Sequence, residues 1–503
     1  MRILQYAAAA FGLLLPMLAA PGLAQGLEAQ PYTGVGGKAT CLADSNAVKI
    51  DRGQSLDGTG DWPTHCVNCI SHALQVTATS VVGDVGQPPA KPEWSLRHVL
   101  TEIGGSRGPG SALQDFLGTM VVDGAINSFP VAARPDIRSV LLDPWQQKAG
   151  VTSLEALADV LNGGQGAQAA DAAWAAAPFK LVSIGYRPDL VRPDFEARRI
   201  NAGGEGRLIF QAITDEFQPM LIIFEYTLPA RNETELVAWT RQYDALRQMP
   251  FGPAYNDALA AITRQFTDRN PAYAVPNNVT LGQLRTNELL VLNRDWELRE
   301  FRISHNGRLE PAAVQMNPDL RFNSAPDMAT LLAYLASPEF SGSFPNTTIP
   351  WTFAGRPFLA GSSITPVSFI GADTWLAGQT GIDRERFAST TCNGCHGGDA
   401  PRGVAFPGKE AVLNPDGVFQ TGFTHVDARG RTFGRPNDTI LSDFMCQSDL
   451  VARAAAFELF RNDPQAIANL LFGSGPDAAF GSAQTEENRA AASVVARNLA
   501  RVH

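Results

Sequence analysis

Apolar residues recur at helical spacing from Pro92 to about Ala176, and the pattern predicts a series of helices there. Ser95 is placed to cap a helix carrying Leu96, Val99, Leu100 and Ile103, which Gly104 and Gly105 end. Leu113 to Val122, Ile137 to Leu142 and Leu154 to Leu161 continue the series. Thr152, with Glu155 three residues on, forms a capping-box signature for the last of these. His98, among apolar neighbours, reads as a packed helix residue. Near Lys180 the period changes. Leu181 to Tyr186 reads as a strand, and Arg207 to Ile213 with Met220 to Leu228 as a hairpin turning near Asp215 and Glu216. Helices follow at Thr234–Gln248, with Asn232 and Glu235 as its cap, and at Tyr255–Arg269. Trp296 to Ser304 and Arg308 to Met316, either side of Asn306-Gly307, give the strongest hairpin signal, with His305 exposed beside the turn. Met328 to Leu335 adds a helix. Locally paired strands with helices grouped beside them predict an α+β fold with an antiparallel sheet over residues 91–372.

One stretch carries chemistry of its own, Thr391-Cys392-Asn393-Gly394-Cys395-His396. Two thiols on one helical turn can each add to a vinyl group of a porphyrin, and the next residue can set an imidazole beneath the iron. The spacing therefore points to one covalent haem c, held by Cys392, Cys395 and His396, with the small Asn393 and Gly394 leaving room for the ring. The plain alternative is a Cys392–Cys395 disulfide beside an unrelated histidine. Trp375 to Phe387 reads as a short helix leading in. Glycines and prolines after His396 exclude continuous helix until Phe423-Thr424-His425. Helices then follow at Leu450–Phe460, Ala466–Leu471 and Glu486–Val502, which makes residues 373–503 a mainly helical, cytochrome c-like segment. Phe406, Phe419, Phe423, Phe433 and Phe444 offer apolar cover for a buried ring. The sixth iron ligand is expected to be His425, with Met445 or a water or vacant position as the alternatives, and an imidazole there lowers the potential relative to a thioether.

The other end of the chain bears on whether haem could be attached at all. Arg2, the apolar run Ala7 to Ala20 and the small residues Gly22-Leu23-Ala24 read as an export signal over residues 1–24, implying a periplasmic or otherwise exported protein. No later stretch is long and apolar enough to predict a transmembrane segment. Residues 25–90 are rich in turn chemistry and predict an irregular segment stapled by disulfides. Cys41, Cys66, Cys69 and Cys446 make an even set for that purpose, with three possible pairings. Cys66-Val67-Asn68-Cys69 lacks a following histidine ligand, and His65 and His72 beside it leave a metal site as the lesser alternative. The net charge of −10, without basic clusters, argues against nucleic acid and suits docking to a basic redox partner protein.

Several charged clusters stand out between these regions: Arg187-Pro188-Asp189, Glu205-Gly206-Arg207, Phe224-Glu225-Tyr226, Arg285-Thr286-Asn287-Glu288 and Trp296 to Phe301. Such Arg and Glu residues can bind a carboxylate bidentately, or can pair with one another to knit the sheet, with Arg207, Arg285 and Arg299 against Glu205, Glu225 and Glu288. Taken in order, with C-N-G-C-H and a later F-x-H behind them, these segments from Leu181 to the C-terminus resemble a group of exported bacterial proteins with a C-terminal cytochrome c-like haem motif. The resemblance implies the domain arrangement and the haem, and no substrate. In that group the F-x-H follows the motif closely, whereas here Gly397 to Gly422 intervenes.

The functional expectation is single-electron transfer through one covalent haem. The alternatives are a haem-dependent, peroxidase-like oxidoreductase using the α+β module for substrate, and a non-redox envelope protein. No H-E-x-x-H, Walker A or G-x-S-x-G run is present.

Overall fold

The computed structural model describes residues 39–42, 47–50, 70–84, 86–194, 197–213, 220–289, 296–341, 349–365, 374–376, 384–397, 426–427, 440–441, 445, 449–462 and 464–472. Its organising element is a nine-stranded antiparallel sheet. The strands are β1 (Gln75–Val76), β2 (Phe179–Asp194), β3 (Arg199–Ala212), β4 (Met220–Thr227), β5 (Leu281–Leu289), β6 (Trp296–Leu298), β7 (Glu300–Ile303), β8 (Leu309–Ala312) and β9 (Ser363–Thr365). Seven run in the order β8-β7-β5-β4-β3-β2-β1, and β6 joins β5 to β9 beside them. The mixed α and β architecture with an antiparallel sheet agrees with the expected α+β fold.

Side chains alternate across a strand, so register decides which residues share a face. One row crosses six strands as Val76, Ile184, Leu208, Phe224, Leu284 and Phe301. All six are buried. The neighbouring row on the opposite face reads Gln75, Gly185, Arg207, Glu225 and Gln283, flanked by Arg187 against Glu205 and by Arg285 against Glu300. Those polar residues are buried too. The sheet thus has one apolar face and one charged face, and both of these rows are buried.

Helices cover the apolar face. On it lie α1 (Leu96–Gly104), α2 (Pro109–Met120), α5 (Glu233–Leu246) and α6 (Pro253–Thr267), while α3 (Leu154–Leu161) packs on α2 and α4 (Ala167–Ala175) on α3. Phe116 of α2 meets Phe301 edge-on at 4.9 Å, Phe266 of α6 meets Tyr226 at 5.5 Å, and Tyr243 of α5 stacks on Tyr186 at 4.1 Å. Ser95 caps α1 by accepting from the His98 amide, and Asn232 caps α5 by accepting from the Glu235 amide. His98 itself lies 3.0 Å from Asp268.

Four local expectations are corrected. The cap of α3 is Ser153, which accepts from the Ala156 amide at 3.1 Å, so the helix begins one residue later than the Thr152–Glu155 pattern implies. The strand expected over Leu181–Tyr186 extends from Phe179 to Asp194. Trp296 to Ser304 is two strands, interrupted at Arg299, because β6 turns to pair with β9 while β7 pairs with β8. No helix begins at Trp375. Leu376 has φ 50°, outside helical geometry, and the described helix before the motif is Arg384–Ser389.

After α7 (Met328–Leu335) and a short helix at Pro338–Ser341 come α8 (Arg384–Ser389), α9 (Cys392–Gly397), α10 (Leu450–Asn462) and α11 (Pro464–Phe472). These do not outline a separate helical, cytochrome c-like unit. Helix α10 packs on β2 and α5, and Phe457 reaches Tyr186, so its apolar stripe completes the core of the sheet. Helix α8 rests Phe387 and Ala388 on a second core with Phe322, Tyr334, Phe358 and Trp375. Among the described residues no helix is long and apolar enough to cross a membrane. Residues 1–24 and 486–502, Cys66, Cys69, Cys446, His65 and His425 lie outside the described residues, and of Cys41 only its strand is described. His72 stacks on Phe251 at 4.2 Å.

Candidate functional site

Helix α9 is the C-x-x-C-H turn, and hydrogen bonds fix it from three sides. Thr391 stands before it as N-cap, its hydroxyl accepting from the Gly394 amide at 3.1 Å and donating to the Ala388 carbonyl. Asn317 accepts from the Asn393 amide at 3.1 Å and from the Ser363 hydroxyl at 3.0 Å. Thr365 of β9 donates to the Asn393 carbonyl, and the Trp375 indole donates to both Thr391 and the Asn393 side chain. The spacer residues therefore have structural duties. Asn393 is a buried anchor, and a Cβ at Gly394 would stand 2.3 Å from the Ala388 carbonyl oxygen, so only glycine fits.

The three chemical residues are buried together. Cys392, Cys395 and His396 are 7%, 3% and 7% exposed, and no disulfide joins the two sulfurs. The His396 ring lies flat on the Trp296 indole, centroids 3.9 Å apart and planes within 10°, which fixes the plane of the imidazole and leaves its nitrogens on the edge. Trp296 in turn donates to Asn287 at 2.6 Å. Burial pushes the Cys392 thiol up to about 11, opposed by Arg285 and reinforced by Glu300 and Glu225, so it rests as the neutral thiol.

Cys392, His396 and Met445 line one cavity, together with Arg187, Arg207, Arg285, Arg453, Glu225 and Asp449. Its floor is the charged face of the sheet. Ion pairs hold that floor: Arg207 with Glu205 at 2.9 Å and with Glu225 at 3.1 Å, Arg285 with Glu300 at 3.3 Å, and Arg187 with Asp189 at 2.7 Å. The roof comes from the segment entering α10, where Asp449 bridges Arg187 at 3.0 Å and Arg453 at 2.5 Å, and Arg453 donates to the Met445 sulfur at 3.6 Å. Arg453 also donates to Gln75, across the bare position left by Gly185. The expected Arg–Glu pairing is present with one exchange of partners, since Arg299 pairs with Glu297 and Glu288 with Arg134.

The donor set fits a covalent haem in kind: two thiols and an imidazole on one turn, the imidazole oriented by a ring stack, and a thioether on the same cavity. The space is tighter. The cavity measures about 70 Å³, against about 300–1,000 Å³ for sites that hold cofactor-sized molecules. A porphyrin enters only if the roof carrying Met445, Asp449 and Arg453 moves outward. Sequence reasoning found Cys392, Cys395, His396 and Met445. It missed Trp296 as the stacking partner, Asn317 and Trp375 as anchors, and Arg453 with Asp449 as roof. Only the last pair left a trace, an acid and a base four residues apart at the start of a helix. Compared with known protein families, with curated proteins and with solved structures, the chain matches none.

Proposed function

We propose that this protein is an exported c-type haem protein that passes single electrons to and from a redox partner protein, through one haem c on Cys392, Cys395 and His396. One observation carries the reading: both thiols and the imidazole of the motif are buried on a single turn, and His396 and Met445 face one cavity. The bound group supplies one-electron exchange at its iron. The chain's own residues do the rest. Cys392 and Cys395 tether the ring, Trp296 sets the plane of His396, and Asn317, Thr365 and Trp375 hold the turn against movement. His425 would be the sixth ligand, with Met445, which lines the cavity, as its alternative. The test is a pyridine haemochrome spectrum on denatured protein matured in a host with haem-attachment machinery, since thioether linkages survive unfolding. One haem per chain is expected, and a polypeptide of unaltered mass overturns the proposal. Met445→Ala and His425→Ala then divide the ligand question, because only loss of the true ligand turns low-spin iron high-spin.

A second reading, a haem-linked oxidoreductase, is favoured by the four arginines around the same cavity, which are suited to an anionic substrate. An iron that binds cyanide and turns over peroxide supports it over simple electron transfer.

A further inference from the structure

A second cleft, of about 420 Å³, opens where β2 begins, and it shares no lining residue with the cavity beneath the motif. Its size falls within the range of about 300–1,000 Å³ typical of small-molecule sites. The walls come from residues 139–141 and the helix Asp143–Lys148, from the end of α4 at Ala175 to Pro178, and from Lys180 of β2 with Ile213 just past β3. Hydrogen bonds fix them. The Ile213 amide donates to the Pro178 carbonyl at 2.8 Å, and the indole of the buried Trp145 donates to the Ala173 carbonyl at 2.8 Å. With that N–H engaged, Trp145 offers the cleft hydrocarbon, as do Leu141, Pro144 and Ile213.

Against these apolar walls stand two ammonium groups and no acid. Among the described residues lining the cleft, only Lys148 and Lys180 are ionisable. Lys148 is exposed and Lys180 half-buried. Among the described residues neither forms an ion pair, unlike Lys91, which pairs with Asp257. Burial lowers the Lys180 ammonium from its ordinary value, with no carboxylate opposing it. A half-buried cation without a partner, set in apolar walls, gains most from an anion that brings its own hydrocarbon.

We propose that this cleft binds a monocarboxylic acid with an apolar body, its carboxylate on Lys180 and Lys148 and its hydrocarbon along Trp145, Pro144 and Leu141. An inorganic anion would leave the apolar walls wet, and a neutral hydrocarbon would leave Lys180 unpaired. The site is separate from the proposed haem, so either reading stands if the other fails.

The experiment is isothermal titration calorimetry of the full chain with sodium 2-naphthoate. Two controls divide its chemistry: 2-naphthamide keeps the body without the charge, and sodium acetate keeps the charge without the body. One 2-naphthoate per chain is expected to bind, and each control about tenfold more weakly or worse. Lys180→Met, of similar length and uncharged, is expected to weaken 2-naphthoate about tenfold. Lys148→Met, at an exposed position, is expected to weaken it by about fivefold at most. The ligand-free Lys180→Met protein is expected to unfold at or above the wild-type Tm, because no ion pair is lost, so weaker binding reports the site and not the fold. If wild-type protein binds 2-naphthoate no more tightly than 2-naphthamide, the site does not exist, a result that needs no variant. Wild-type affinity in Lys180→Met overturns the proposal equally.

Discussion

The two faces of the central sheet are built from the same strands and are equally buried, yet they are stabilised by opposite means. On the helix-covered face, the row from Val76 to Phe301 excludes water by apolar contact, a gain that scales with area and needs no special geometry. On the other face, Arg187, Arg207 and Arg285 sit among Glu205, Glu225 and Glu300, where desolvation offsets much of each attraction and geometry decides the sum. The charged face lines the cavity that Cys392 and His396 of the C-x-x-C-H turn share.

Breaking the apolar row has the largest expected effect. Phe224 is fully buried at its centre, and Phe224→Ala is expected to cost about 3–5 kcal/mol, read as a lower denaturation midpoint. Arg207→Met is expected to cost nearly as much, about 3–5 kcal/mol, because Glu205 and Glu225 lose their shared partner. The two faces part company in the double variant. Arg207→Met with Glu225→Leu removes the stranded charge, leaves Glu205 to Arg192 and Arg285 to Glu300, and is expected to recover most of the loss. No second substitution should rescue Phe224→Ala in this way. A double variant no more stable than Arg207→Met shows that the charged face is structural after all.

Acid sharpens the same contrast. Glu205 pays for its burial, yet Arg207, Arg192 and Arg187 more than compensate and hold it down to about 2 from an ordinary 4.5. A carboxyl lowered on folding stabilises above its unfolded value and loses that contribution as pH falls toward its folded one. Stability is therefore expected to fall between about pH 4.5 and 2, by on the order of 3 kcal/mol from this group. Glu288 works the other way: burial raises it, and Glu297 adds to that against Arg134 and Arg299. Its contribution is present below the ordinary carboxylate value and declines as pH rises through the folded one. Stability curves of wild type and Glu205→Gln from pH 2 to 5 check the first sign, and a variant with the same acid slope as wild type refutes it.

Much of the sheet was legible. Glu300-Phe301-Arg302-Ile303 alternates, Asn306-Gly307 marks the turn after it, where Gly307 has φ 77°, and Ser95 and Asn232 announce their helices. Alternation states that two faces differ, and an alternating strand is ordinarily half solvated. That the polar face is buried, and by what, depends on contacts between residues such as Gln75 and Arg453, which are 378 positions apart. No local pattern encodes them. The motif itself was legible because its two thiols and its imidazole lie within five consecutive residues, whereas its supports, Asn317, Trp296 and Trp375, come from three other segments.

The motif helix yields the next smaller effect. Gly394→Ala drives a methyl into the Ala388 carbonyl and the Thr391 hydroxyl, and overpacking of this kind costs about 1–3 kcal/mol. Because the strain falls on the turn that spaces the two thiols, the proposed haem attachment per folded chain is expected to fall as well. Phe224→Ala, on the far face, should lower stability alone.

The smallest expected effect is the most local. Thr391 keeps one hydroxyl at the meeting point of α8 and α9, accepting from Gly394 and Trp375 and donating to Ala388. Thr391→Val preserves the shape and removes the polar group, at about 1 kcal/mol for a lost N-cap. The Trp375 indole keeps its second partner, Asn393, and the Gly394 amide loses its acceptor, which is the cost counted for the cap, so the fold should survive intact. A change this small in stability, joined to a clear drop in haem attached per chain, would show that the cap serves the orientation of Cys392 and Cys395 more than the helix. Equal haem content in variant and wild type would assign Thr391 to stability alone.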